Sequence, residues 1–388
     1  MKKYKDEKGF IIGNIKKLRN AINTGCGTYK KEIKGGKVRN YKNNRYTWDR
    51  FAMLSYNGEG FYINNKEFCK TRQRIYGYDI HWAYGSALID YDFPLSSKVG
   101  ETPTKCGCYF ISYTYKKPRY PQFYYTLYDN MYYCKKKSNI KYMWLTTLDY
   151  EIFMDLYESD AKIITQVFWQ DIGSLPQEVH KLVRQAYSDK KDPDNEEYKS
   201  LFEAVYYGIN AKDLQKEYDD RNKWWASQLN YGENDYLQAQ AWTGLNGNKK
   251  DKQQVRTEYC VISTWQTAYT RYREWKNFKE NIDNVVYMNT DSIYSIKPLD
   301  LGEDKGLGYY KLEYNNEQML FIRRNAYVIF NEDGTLKKSV IGGCIKQQFN
   351  KWDIMALEQG LTIMALSYDE DHNLIEIPLN PSFIKNIY

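Results

Sequence analysis

The sequence predicts an α+β fold, and three features carry that prediction. Residues 105–127 alternate apolar and polar with the period of a β-strand, through Tyr109, Ile111, Tyr113 and Tyr115. A helical pattern from about Thr257 to Asn281 delivers the chain to an apolar strand at Val285–Tyr287. Two aspartates, Asp79 and Asp291, each stand at the end of a strand-like apolar run. Carboxylates from distant parts of a chain can converge at strand ends, and one or two of them suffice to hold Mg²⁺ beside substrate phosphates.

The remaining elements follow in order. Residues 1–55 are basic and contain Gly35-Gly36 and a Lys/Asn-rich stretch from Lys37 to Arg45, which reads as a lead-in structure or an arm. Residues 74–93 read as a strand entering a helix, with Asp79 near the strand end. The run Tyr142-Met143-Trp144-Leu145 leads to a helix over Leu148–Glu158, with Thr147 as the expected N-cap because its hydroxyl can accept an orphan amide. A helix over 176–191 places Val179, Leu182, Val183 and Ala186 on one face, and Asp192-Pro193-Asp194 ends it. A second helix, Glu196 to Tyr207, stops near Gly208, so the two form an antiparallel pair. Residues 209–256 are polar and aromatic, with a loop tip at 246–252. Trp224, Trp225, Tyr231, Tyr236 and Trp242 there suit either base stacking or a local core. Residues 308–330 read as β, and a helix over Lys351–Gln359 is bounded by Gly360.

Composition narrows the setting. The net charge of +7 is uneven: residues 1–50 hold 15 Lys and Arg against 4 Asp and Glu, and the rest hold 41 against 45. A basic leader on a near-neutral body fits contact with a polyanion, and equally a solvated tail. The 40 tyrosines offer flat faces with polar tips, although an AT-rich genome enriches tyrosine for reasons unrelated to function. Seven cysteines, an odd number in a long chain, point to reduced thiols and a cytosolic setting. Cys106-Gly107-Cys108 with Cys134 lacks a fourth ligand at zinc-finger spacing. No apolar run approaches membrane-spanning length, so no membrane partner is expected.

Asp79-x-x-x-x-Tyr84, a Lys-bearing helix ending in Tyr-Gly, and Tyr287-Met288-Asn289-Thr290-Asp291-Ser292 occur in that order. This resembles the three motifs of family B DNA polymerases, and most closely their protein-primed phage branch, over roughly residues 56–365. The resemblance implies a right-hand fold: a palm with an antiparallel sheet, two-helix fingers and a small thumb. The implied division is a lead-in at 1–55, palm with insertion at 56–170, fingers at 171–208, an insertion at 209–256, palm again at 257–330 and thumb at 331–388.

It also implies residue roles. Asp79 and Asp291 would be catalytic metal ligands, with the Ile80 carbonyl a further ligand, for two Mg²⁺ with Mn²⁺ as an alternative. Tyr84 would lie against the nucleotide sugar and exclude a ribose 2′-OH, so deoxynucleotides are the expected substrate. Trp82, Ala83 and Gly85 replace the usual Ser, Leu and Pro, and Asn289 replaces the first aspartate of the third motif. In the second motif Lys199 would meet the triphosphate and Tyr206 or Tyr207 would pack by the base or sugar, while Ala204-Val205 replaces Asn-Ser. Arg184, Lys190 and Lys191 are further nucleotide-binding candidates. Tyr56, Gly58 and Gly60 resemble a template-touching element. Arg323-Arg324-Asn325-Ala326-Tyr327 resembles the Lys-x-Tyr element that holds the primer end, with Asn325 in place of Lys and Arg323 or Arg324 supplying charge.

The expected partners are primer-template DNA, dNTPs and a terminal or priming protein, in the cytoplasm of a host cell. Family members carry a 3′–5′ exonuclease ahead of the polymerase. The residues before Tyr56 contain only Asp6, Glu7, Glu32 and Asp49, with no Asp-x-Glu pair, so proofreading is expected to be lost or to reside on a separate chain. The alternative is a degenerate fold that binds nucleic acid or a partner without catalysis, which Asn289, Asn325 and the missing Asn-Ser favour.

Overall fold

Short alternating segments that bury one face, interrupted by three longer helical patterns, dictate sheets with helices against them. The computed structural model describes residues 61–65, 72–189, 260–341, 350–368 and 374–379, with a few short interruptions, together with Ser55 and Phe68. In chain order the elements are β1 (Phe61–Asn65), β2 (Gln73–Ile80), α1 (Ala83–Asp90), β3 (Asp92–Pro94), β4 (Val99–Gly100), β5 (Gly107–Tyr113), β6 (Lys116–Pro118), β7 (Phe123–Tyr124), β8 (Tyr133–Cys134), β9 (Lys141–Thr146), α2 (Thr147–Leu156), β10 (Tyr157–Ser159), β11 (Lys162–Trp169), β12 (Ile172–Ser174) and α3 (Gln177–Asp189). The second half comprises α4 (Cys260–Glu280), β13 (Val285–Thr290), β14 (Ser292–Ser295), β15 (Tyr310–Arg323), β16 (Ala326–Phe330), β17 (Leu336–Ile341), α5 (Lys351–Glu358), β18 (Ile363–Tyr368) and β19 (Leu374–Leu379). The lead-in at 1–55 apart from Ser55, the second helix at 196–207 and the insertion at 209–256 lie outside the described residues.

The chain divides into two units. The first holds α1, α2, α3, residues 260–272 of α4 and a five-stranded antiparallel sheet in the order β4-β11-β5-β9-β8. Its α2 starts one residue earlier than the sequence suggests. The N-cap is Thr146, not Thr147: the Thr146 hydroxyl accepts from the Asp149 amide at 3.0 Å and donates to the Asp149 carboxylate at 2.8 Å. Asp149 is fully buried and receives Arg271 on both oxygens, at 2.9 and 2.8 Å, and the Tyr128 hydroxyl at 3.0 Å. Every oxygen of this buried carboxylate is thus matched, which a charge out of water requires. Cys106 and Cys108 are buried free thiols; burial pushes Cys106 up to about 12 and raises Cys108 as well, so both stay protonated.

The second unit is built on an eight-stranded sheet in the order β17-β16-β15-β2-β14-β13-β1-β7. All its pairings are antiparallel, so alternate residues face opposite sides. On one side Ile75, Tyr294, Met319, Phe321, Tyr327 and Ile329 form a core. On the other, Leu320, Ile322, Val328 and Phe330 meet Ile354 and Leu357 of α5 and Ile363 and Ala365 of β18. The Asn350 side chain caps α5 by accepting from Trp352 and Asp353. Strand β15 carries two register shifts, between Leu312 and Tyr314 and between Tyr314 and Glu317, and Asn316 adopts φ 59°. Such bulges bend a strand and re-aim its side chains.

Candidate active site

Gln73 to Ile80 form a central strand because apolar Ile75, Tyr78 and Ile80 and the small Gly77 are buried between neighbours on both sides. Gly77 answers to a specific contact. A Cβ there would lie 2.5 Å from the Tyr314 ring and 3.1 Å from that of Tyr294, so only glycine lets both tyrosines cross the strand. Two residues on, Asp79 faces Ser292 across the β2–β14 ladder and Lys311 across the β2–β15 ladder. Asp291 is in the turn that joins β13 to β14, where Asn289 opposes Ser292. Its carbonyl accepts from the Ile80 amide at 3.0 Å. Asp79 and the turn that carries Asp291 therefore belong to neighbouring positions of the sheet, whose strands lie about 4.8 Å apart.

The electrostatics of the second unit converge on that place. Glu274, on α4, is fully buried, and its carboxyl is held well above the usual range. Burial is the main cause; the charges of Asp291 and Asp79 add to it, while the hydrogen bond from Tyr310 and the charge of Arg273 work against it. The Tyr310 hydroxyl donates to Glu274 Oε1 at 2.9 Å and accepts from Asn277 Nδ2 at 2.9 Å. Among the described residues Glu274 Oε2 has no hydrogen-bond partner. Tyr310 opposes Ile80 in the ladder, so this network lies on the side of the sheet away from Asp79.

On the Asp79 side, Lys311 donates to Glu313 at 2.9 Å. That bond raises its ammonium pKa, with Glu313, Asp79 and Asp304 contributing. His81 Nε2 lies 3.0 Å from Asp304, whose carboxylate is lowered by that contact and by the Gly306 amide. His81 also ties the 302–309 loop through its backbone, by bonds to Tyr309 and Gly308.

Asp79 and Asp291 with main-chain oxygen are hard donors of the type Mg²⁺ takes. The charges of Asp291 and Asp79 both reach Glu274 and add to the larger effect of its burial. Among the described residues no group of three or more His, Cys, Asp or Glu side chains is arranged around a single metal position. Asn289, which stands where the family's third motif has its first aspartate, is half-buried.

The other sequence-predicted residues fall as follows. Tyr84 belongs to the first unit, in the first turn of α1, and its carbonyl accepts from Gln266 at 2.8 Å. The preceding Trp82 is buried in a left-handed conformation (φ 54°, ψ 61°). A Cβ at Gly85 would sit 2.5 Å from the Trp82 ring, so these two departures from the family pattern require each other. Trp82 also stacks on Tyr187 of α3 at 6.4 Å. Arg184 is exposed on α3. Tyr327 is buried on the Asp79 side of the sheet and accepts from the Tyr294 hydroxyl at 3.0 Å. Tyr56, Gly58, Gly60, Lys190, Lys191, Lys199, Tyr206, Tyr207 and Arg324 lie outside the described residues, as does the side chain of Arg323.

Sequence reasoning passed over Glu274, Tyr310, Asn277, Lys311 and His81. A signal existed for the first. On α4 the buried stripe runs Trp265, Ala268, Arg271, Glu274, Trp275 and Phe278, so two charged residues occupy core positions of a 3.6-residue period.

No family model matches this sequence, and no curated protein matches it. Solved structures do. The chain is similar to Phi29 DNA polymerase complexed with primer-template DNA and incoming nucleotide substrates, with a TM-score of 0.54 and 13% identity, covering 85% of this chain and 61% of that one. Its likeness to the post-translocation binary complex of Phi29 DNA polymerase with primer-template DNA has a TM-score of 0.54 at 13% identity, covering 86% and 62%. Against Phi29 DNA polymerase complexed with single-stranded DNA the TM-score is 0.51 at 14% identity, covering 76% and 55%. At this identity the likeness concerns the fold: a mixed α/β, polymerase-like architecture with antiparallel sheets. The chain spans less than two thirds of the length of these structures. Among the described residues no helix is long and apolar enough to cross a membrane.

Proposed function

We propose that this chain is a template-directed DNA polymerase that transfers nucleotides from dNTPs to a primer hydroxyl, serving replication of a phage genome with protein priming. One observation carries the reading: the Asp291 turn is hydrogen-bonded to β2 immediately beside Asp79. The polymerase-like fold supports it independently of the motifs.

In this reading the eight-stranded sheet is the palm, α3 belongs to the fingers, and α5 with β18 and β19 belongs to the thumb. Asp79, Asp291 and the Ile80 carbonyl hold Mg²⁺. Bound there, the ions supply the means to lower the pKa of the attacking hydroxyl and to offset the charge of departing pyrophosphate. The chain's own residues position and screen. The β2–β14 ladder holds the backbones of Asp79 and Asp291 beside each other, and Glu274, its carboxyl raised by burial, stands behind them. Tyr84 stands against the sugar and selects deoxynucleotides. Lys199, Lys190, Lys191 and Arg184 meet the triphosphate, and Tyr327 steadies the primer end. This is catalysis by placement and charge, as phosphoryl transfer requires.

The test is extension of a labelled DNA primer, and of a hydroxyl-bearing protein primer, on a template with dNTPs and Mg²⁺, by the native chain beside Asp291→Ala. Extension by the native chain and its loss in the variant support the reading; extension that survives the substitution overturns the site. Asn289 and Asn325 favour the second reading, a non-catalytic nucleic-acid-binding relative. It predicts DNA binding by both proteins and extension by neither.

A further inference from the structure

We infer that Lys338, seated on Tyr314, is a cation that grips a primer-strand phosphodiester in this chain. The inference rests on the proposed polymerase reading and adds a residue to it.

Gly77 sets the geometry beside Asp79. Because that position has no side chain, Tyr314 and Tyr294 close over β2 next to Asp79, their rings stacked at 6.2 Å and 22°. Tyr294 donates to Tyr327 at 3.0 Å. Burial raises the pKa of both Tyr294 and Tyr327, so those two hydroxyls stay neutral. Lys338 of β17 opposes Ile329, two residues along from the Val340–Tyr327 pair, and so points to the same side of the sheet as Tyr327 and Asp79. Its ammonium donates to the Tyr314 hydroxyl at 3.1 Å and lies 5.6 Å from the ring centroid.

The contrast with Lys337 is informative. Lys337 is paired with Glu317 at 2.8 Å, at the point where the β16–β17 register shifts. Lys338 is exposed, and among the described residues no carboxylate lies within ion-pair distance of it. A lysine seated on a single hydroxyl keeps two of its three donors for an incoming anion. An ion-paired lysine must first give up its partner. Strand spacing and rise put the Tyr314 seat about 10 Å from Asp79. That is within reach of the first phosphodiesters behind a terminal hydroxyl held at the aspartates.

The test measures binding of a fluorescent primer-template over a range of salt concentrations for the native chain, Lys338→Ala, Lys338→Arg and Lys337→Ala. Each phosphate neutralised contributes about 0.9 to the slope of log K against log salt on duplex DNA. Lys338→Ala is expected to weaken binding and lower the slope by about that amount. Lys338→Arg should restore the slope, and Lys337→Ala should leave it unchanged. In extension assays, Lys338→Ala should raise the KM for primer-template and leave the KM for dNTP unaltered. An unchanged slope in Lys338→Ala overturns the inference, as does an effect confined to the KM for dNTP, which would assign the phosphate to the nucleotide instead. A native chain that binds primer-template but does not extend it defeats the polymerase reading, while the slope still decides Lys338. A native chain that binds no DNA defeats both.

Discussion

The Ile80 amide donates to the carbonyl of Asp291 at 3.0 Å, and this single bond locks the turn carrying one acidic residue to the strand carrying the other. Asp79 and Asp291 belong to distant parts of the chain, yet their relative position is set by main-chain pairing that no side-chain substitution removes. Conservative changes at this site should therefore alter chemistry without unfolding the protein.

Asn289→Asp is the most direct such change. Asn289 pairs with Ser292 at the base of the turn and already offers an oxygen, but no charge. The added carboxylate should lower the Mg²⁺ concentration for half-maximal extension by about tenfold, equivalent to about 1.4 kcal/mol of metal binding. A Mg²⁺ titration of extension checks this; an unchanged midpoint would mean position 289 does not face the ions.

Gly77→Ala should act through packing. Its Cβ would come within 2.5 Å of the Tyr314 ring, and the ring cannot retreat without disturbing Tyr294 and Tyr327. Overpacking of this kind costs about 1–3 kcal/mol. Chemical denaturation should show that loss. Gly77→Ala with Tyr314→Ala should recover part of it.

Glu274 makes stability depend on pH. Its folded-state pKa is raised by burial and by Asp291 and Asp79, against an unfolded value near 4.5. Between those two values the folded protein holds a proton that the unfolded chain has lost, so stability falls as pH rises through that window and levels off above the folded value. Glu274→Gln keeps an acceptor for Tyr310 and cannot ionise. Denaturation from pH 4 to pH 9 should show the variant losing this decline and exceeding the native chain at the alkaline end. Parallel curves would remove Glu274 as the cause.

Arg271 and Asp149 form a buried pair with every carboxylate oxygen bonded. Removing one partner strands the other charge, so Arg271→Met or Asp149→Leu should each cost about 3–5 kcal/mol. The double variant Arg271→Met with Asp149→Leu should be far less destabilised than the two single losses added together. Additive losses in this cycle would show that the pair is not coupled.

Local periodicity made much of the fold legible. The helix expected over Thr257–Asn281 appears as Cys260–Glu280, and the strand bearing Asp79 ends at Ile80. Both are long or strongly patterned elements whose period survives any tertiary setting. The N-cap of α2 moved from Thr147 to Thr146 because two adjacent threonines are equivalent in sequence, and only the Asp149 backbone and carboxylate select between them.

The two aspartates, their strand-end positions and the order of the motifs are legible in residue type and local period. That Asp79 and Asp291 adjoin, that Glu274 is buried behind them, and that Lys338 rests on tyrosine rather than on an acid emerges with the assembled sheet. Those relations depend on strand register and on which helix covers which side of the sheet. Both are fixed by contacts between residues far apart along the chain, and a one-dimensional pattern carries no record of them.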